Sequence, residues 1–287
     1  MKISDGVVKV ILAMMLIGCE ASIGEGEVGA RLVNIEVPDS PEAARALGCM
    51  MAGHHVGSSL GSLMILSGGL DRFYQIDDYG EVKVVLIAET EGFAPEKEDP
   101  FSLWIYEGLQ NSAKEFVRPS SRESSGTLFE GVVIDEDGWF WVDAQELTVP
   151  IPIFDDWMIY PTLSAPTLEA KFVTDEVGFT AERMLLTGYL SSEAIMFLVE
   201  KVIEVCGRPE EERPNLCPVI GNQIRGDTPK EEAFPIFVSF MGGFDSRIVG
   251  GVPGECDTEA EDSEFACDAI SVCMELDFQS VVLGDEG

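Results

Sequence analysis

Six carboxylates crowd one short stretch. Asp257, Glu259, Glu261, Asp262 and Glu264 lie between Cys256 and Cys267, and Asp268 follows directly. A ring closed by those two cysteines would hold like charges together, and Ca2+, which seeks oxygen ligands, would relieve their repulsion. The carboxylates keep no fixed ligand spacing, so a solvated acidic loop is the competing reading. Trp139, Phe140 and Trp141 are a second chemical signal. Strand alternation puts Trp139 and Trp141 on one face and Phe140 on the other. Exposed indoles can stack on sugar rings, whereas buried ones are simply core.

Other candidates dissolve on inspection. Gly57-Ser58-Ser59-Leu60-Gly61 matches the G-x-S-x-G elbow of a serine hydrolase, which needs an acid and then a His later in the chain. The only histidines, His54 and His55, precede Ser59. Adjacent His side chains also diverge, which argues against a shared transition-metal site. Asp135, Asp137 and Gly138 resemble the start of an EF-hand loop, yet no third ligand and no Glu at the twelfth position follow. A turn between Thr127–Ile134 and Trp139–Asp143 explains them, as a hairpin. A glycosidase pair has no selecting feature among 52 acids. No catalytic residue is assigned, and the reading leans away from an enzyme.

The seven cysteines divide into one near the start, Cys19, and six others. An even set in an exported chain implies disulfides. Cys206 ends a predicted helix, and a polar, Pro-bounded loop separates it from Cys217. Cys256 and Cys267 bracket the acidic loop, and Cys49 and Cys273 are left to each other. Bridges over such short loops contribute about 3 kcal/mol each. Zinc knuckles use spacings of two to four residues, unlike the ten, ten and five found here.

Charge excludes whole classes of partner. Eighteen Lys and Arg stand against 52 Asp and Glu, a formal charge of −34. Such a surface repels phosphate backbones, so nucleic acid is not a partner. It also repels anionic membrane surfaces. Solubility, a salty habitat, cation binding or a basic partner each account for the acidity.

The elements that must carry these residues are mostly strands. Arg31–Val37 alternates, and Asp39-Ser40-Pro41-Glu42 starts a helix expected through Ala52. Glu81–Glu89 is apolar enough for a central strand. Phe101–Tyr106, Trp157–Leu163, Thr167–Thr174 and Ala181–Gly188 follow as strands. Ser191-Ser192-Glu193 caps a helix whose apolar stripe is Ile195, Leu198, Val199, Val202 and Ile203. Phe234–Met241 and Phe244–Val249 read as strands. In Asp268–Val282 the set Ile270, Val272, Met274, Leu276 and Phe278 points to a core, with Cys273 opposite. The fold class is mainly β (α+β): a β-sandwich or flattened barrel, disulfide-stapled, with one or two packed helices. Residues 31–287 form its single domain, including helix 192–206.

The first 18 residues are of a different kind. Lys2 and Lys9 precede the apolar run Val10–Ile17, far shorter than the roughly 20 residues that cross a bilayer. Leu16-Ile17-Gly18-Cys19 resembles the lipobox of bacterial lipoproteins. The resemblance implies that 1–18 is a cleaved signal, that Cys19 becomes an acylated N-terminus, and that palmitate-like chains anchor the protein. Glu20, where an Asp would favour the inner membrane, points to the outer one. Residues 19–30 are Gly-rich and acidic, a tether. The late segment, with its Cys-loop-Cys, acidic loop and Asp268-Ala269-Ile270-Ser271-Val272, resembles acidic lipoproteins of myxobacteria and relatives over about the last hundred residues. That family transfers no functional residue. It implies an envelope protein with a membrane link through lipid only, and an unnamed protein or glycan partner.

Overall fold

Period-two alternation organises the chain into nine strands of one antiparallel sheet. In the computed structural model the described residues are 28–51, 54–55, 71–94, 99–124, 126–154, 157–174, 178–213, 217, 224, 226–254, 256–257 and 266–284. The strands are β1 (Gly29–Glu36), β2 (Leu86–Glu91), β3 (Phe101–Glu107), β4 (Gly126–Val132), β5 (Trp139–Asp143), β6 (Glu146–Thr148), β7 (Thr162–Thr174), β8 (Phe179–Ser191) and β9 (Ala269–Val281). Their order is β6-β7-β8-β9-β1-β2-β3-β4, and β5 also pairs with β7. Neighbours in sequence are therefore neighbours in space, and β9 returns to pair with β1. The sheet is a meander curled on itself into a barrel open at one seam, so the mainly β class expected is found, and of the sandwich and the flattened barrel the curled sheet lies nearer the second.

Curling is visible in the core. Phe101 of β3 meets Phe172 of β7 with ring centroids 5.9 Å apart, although β3 and β7 lie near opposite ends of the strand order. Phe93, Phe140 and Phe179 pack on the same Phe172 ring. Inward residues of every strand join one cluster, including Ala30, Leu86, Leu103, Phe129, Leu147 and Met184. All five expected inward residues of β9 are buried in it.

β5 and β6 share one position in the barrel, broken opposite a kink in β7. Ala144 N–H donates to the Pro166 carbonyl and Ala165 N–H to the Gln145 carbonyl. Ala165 has φ of 47°, and the β7–β8 register shifts there. A bulge of this kind bends a strand, and Pro removes a ladder donor.

Among the described residues four α-helices lie outside the sheet. In α1 (Pro41–Leu47) the Ser40 Oγ accepts from Ala43 N–H, and Gly48 ends the helix with φ of 84°. That left-handed cap stops it short of Ala52, where the sequence reading carried it. α2 (Asp71–Tyr74) buries Phe73 and Tyr74. α3 (Ser192–Cys206) is capped by Ser191 and buries Ile195, Leu198, Val199 and Val202 in the barrel core. α4 (Lys230–Phe240) packs on α3.

Three expectations change. Phe234–Met241 is helical, not a strand: Glu231 and Glu232 favour a helix N-terminus, and Ala233, Phe237, Val238 and Met241 form a buried helical face. Asp135–Gly138 forms a turn but not a hairpin. Asp135 Oδ1 accepts from Asp137 and Trp139 N–H, yet β4 pairs with β3 and β5 with β7. The turn instead carries the chain from one end of the sheet to the other. Gly29 and Ala30, read from the sequence as the end of a tether, are in β1 and paired on both sides.

Three disulfides join Cys49 to Cys273, Cys206 to Cys217 and Cys256 to Cys267. The first fastens the chain after α1 to the outer face of β9, in a small cluster with Ala44.

Candidate functional site

The outside of the barrel is unevenly covered. Over β2 and β3, the segment from Leu109 to Ser124 lies across the sheet. Leu109–Gln110, Phe116–Val117 and Leu283–Gly284 pair in a small sheet of their own. Beneath it Val85, Ile87, Trp104, Tyr106 and Phe116 form a second core. A charge network latches this strap. Glu89 is completely buried and accepts from Arg118, Arg122 and the Tyr106 hydroxyl. Arg122 also pairs with Glu91, which accepts from the Trp104 indole N–H. Burial and the neighbouring Glu89 push the Tyr106 phenol well above its ordinary value. The sequence reading missed this network. Its one signal was two arginines in a Ser-rich loop of a chain poor in cations.

β5 and β7 are bare by comparison. Trp141 is 61% exposed and Trp139 36%, while Phe140 and Val142 between and beyond them are buried. The indoles share the outer face at a spacing of about 7 Å along the strand. Glu169 stands opposite Trp141 and Lys171 opposite Trp139. The patch thus offers two aromatic surfaces with a carboxylate and an ammonium beside them, the group types that hold a sugar's C–H face and its hydroxyls.

The expected Ca2+ ligands are divided. Glu259, Glu261, Asp262 and Glu264 lie outside the described residues. Asp257 forms a bridge with Ala266, and the Asp268 carboxylate accepts from Ile248 N–H at 2.9 Å. Asp268 is thereby engaged in holding the Arg247–Val249 strand. Cys19 and Ser59 also lie outside the described residues. His54–His55 pairs in a two-residue ladder with Met50–Met51. Among the described residues no helix is long and apolar enough to cross a membrane.

The two ends of the sheet, β4 and β5–β6, face one another across a seam. One hydrogen bond joins β4 to β6 among the described residues, from Thr127 Oγ1 to the Glu146 carbonyl at 3.1 Å. Along the seam runs an open groove of about 970 Å3, lined by Gly126–Leu128, Glu130, Asp143–Glu146, Thr148 and Ala165. Gly251, Val252 and Pro253 overhang it.

Fold and surface together define a nine-stranded meander barrel with a packed interior and its open chemistry on the outside. Compared with family models, with curated proteins and with solved structures, the chain matches none.

Proposed function

We propose that the protein is a lipid-anchored binding protein of the cell envelope, held at the outer membrane through Cys19 and acting without catalysis. The observation that supports a binding role is the exposure of Trp139 and Trp141 on the outer flank of a barrel whose interior is filled with side chains. Large exposed indoles mark recognition surfaces more often than packing surfaces. On this reading the ligand is a glycan, stacked along β5. Ca2+ would stabilise the ring closed by Cys256 and Cys267.

Two experiments test the parts separately. Palmitate labelling of cells expressing the full chain is expected to mark the protein, and Cys19→Ala to abolish the label. An unlabelled, uncut protein in the cytosol ends the envelope reading. Melting of the chain lacking residues 1–18 is expected to shift upward with soluble cell-wall glycans, and the shift to vanish in Trp139→Ala/Trp141→Ala. A rise with Ca2+ that chelator reverses supports the cation role. A glycan shift that survives both indole deletions overturns the Trp site.

A further inference from the structure

We propose that the seam between β4 and β5–β6 is a strand-addition site for an extended, basic peptide segment. Everywhere else the barrel is closed by backbone ladders, from β6 through β9 and β1 to β4. Among the described residues the seam leaves two strand edges without a ladder between them, and such edges are templates for an incoming strand. Among the described residues one neutral hydrogen bond, Thr127 to Glu146, latches β4 to β6, and at the turn end Asp135 N–H donates to the Trp139 carbonyl.

Charge selects the occupant. Glu130, Asp143 and Glu146 line the groove and are exposed. None of the three has an ion-pair partner among the described residues. With them the overhanging Val252 is 64% exposed beside Pro253. A strand shows its side chains alternately to its two faces. A peptide laid along β4 would present one row, its cations, to the outer side of the seam where Glu130, Asp143 and Glu146 stand with Val252 and Pro253, and its other, small-residue row to the inner side. Its main chain would pair with the β4 edge after displacing the Thr127 bond. An acidic or folded partner satisfies neither requirement.

The site adjoins the Trp139–Trp141 face, since Asp143 continues the outer row of β5, but that face requires no open edge.

The test uses the full chain and a ten-residue peptide of alternating Lys and Thr. A second peptide carries the same side chains but has N-methyl groups on alternate amides, which removes main-chain donors and keeps the charge. Expected are hydrogen-exchange protection of amides in 126–132 and 143–148, and binding at least tenfold weaker for the methylated peptide. Glu130→Gln/Asp143→Asn/Glu146→Gln is expected to lose a further tenfold and most of the salt dependence. Equal binding of both peptides reduces the interaction to charge alone and overturns the proposal. So does protection outside the seam, absence of binding at millimolar peptide, or a concentration-dependent dimer of this chain protecting the same amides. The methylated peptide decides the matter even if the triple variant does not fold.

Discussion

The Glu89 carboxylate lies 2.5 Å from the Arg118 guanidinium and is wholly sealed from water, whereas Arg118 keeps about a quarter of its side chain exposed. A buried charge tolerates that position only while its partners remain. Arg122 at 3.0 Å and the Tyr106 hydroxyl at 2.9 Å complete its shell. Glu89→Ala removes the buried acceptor shared by Arg118, Arg122 and the Tyr106 hydroxyl and is expected to cost about 3–5 kcal/mol. In a chain of this size that lowers Tm by roughly 10 °C. Glu89→Leu combined with Arg118→Met and Arg122→Leu should recover most of the loss, because the buried anion and both of its cations are then removed, while the half-exposed Glu91 keeps water and the Trp104 indole. Melts that show the triple variant as weak as Glu89→Ala would refute the latch.

Burial acts in the opposite sense on Glu107, at the end of β3. Loss of water holds its carboxyl above the ordinary value of 4.5. The folded chain therefore binds that proton more tightly than the unfolded chain. Stability from this group is present at low pH and is lost as pH rises through the raised value. Glu107→Gln removes the loss. The variant should melt higher than the parent near pH 7 and alike near pH 4. A gap of constant size across that range would count against it.

Legibility in the sequence follows the range of the interaction. The alternation of β9 and the stripe of α3 are local, and both put the expected residues in the core save Ile203, which is half-buried at its rim. The bridges Cys206–Cys217 and Cys256–Cys267 span 11 residues each, within reach of loop-length reasoning. Phe234–Met241 reads as a strand because a short apolar run has no distinguishing period, and the packing of α4 on α3 decides it. The pairing of β1 with β9 brings Gly29 to Val281 and leaves no local trace. The Asp135 turn is a correct local reading with a wrong global consequence, since a tight turn joins the sheet's two ends without a ladder. Exposure of Trp139 and Trp141 likewise depends on what covers the flank, which strand alternation does not encode.

The aromatic triplet of β5 and the core it borders should separate cleanly under truncation. Phe172 contacts four other phenyl rings inside the barrel and is buried. Phe172→Ala is expected to cost about 3–5 kcal/mol by leaving a cavity among rigid neighbours. Trp141→Ala removes a larger side chain that touches mainly water, and should change stability by no more than about 0.5 kcal/mol. Urea unfolding of both variants measures the contrast. A large loss from Trp141→Ala would mean that the indole is structural, and would remove the support for a glycan platform.

Cys49–Cys273 closes a span of 224 residues, against 11 for each of the other two bridges. Restriction of the unfolded chain grows with the logarithm of that span, giving about 5 kcal/mol for the long bridge and about 3 for a short one. Cys49→Ala/Cys273→Ala should therefore destabilise more than Cys256→Ala/Cys267→Ala in non-reducing urea titrations. The cysteines of the long bridge are buried, so their removal also opens space beside Ala44. Equal midpoints for the two variants would sink the ordering.

Thr127 offers the most local test of how the barrel is closed. Its hydroxyl makes the bond across the seam, and its partner, the Glu146 carbonyl, belongs to an exposed residue that water can satisfy. Thr127→Val keeps the shape and removes the donor, so the loss is that of one neutral hydrogen bond, about 1 kcal/mol. Because β4 is still paired with β3, and β6 with β7, the loss falls on opening of the seam and not on global unfolding. Amides of 126–132 and 146–148 should exchange roughly fivefold faster, with β8 and β9 unchanged and Tm within a few degrees of the parent. Uniform acceleration across all nine strands would show that the seam opens only when the whole barrel does, and that its single bond has no local role.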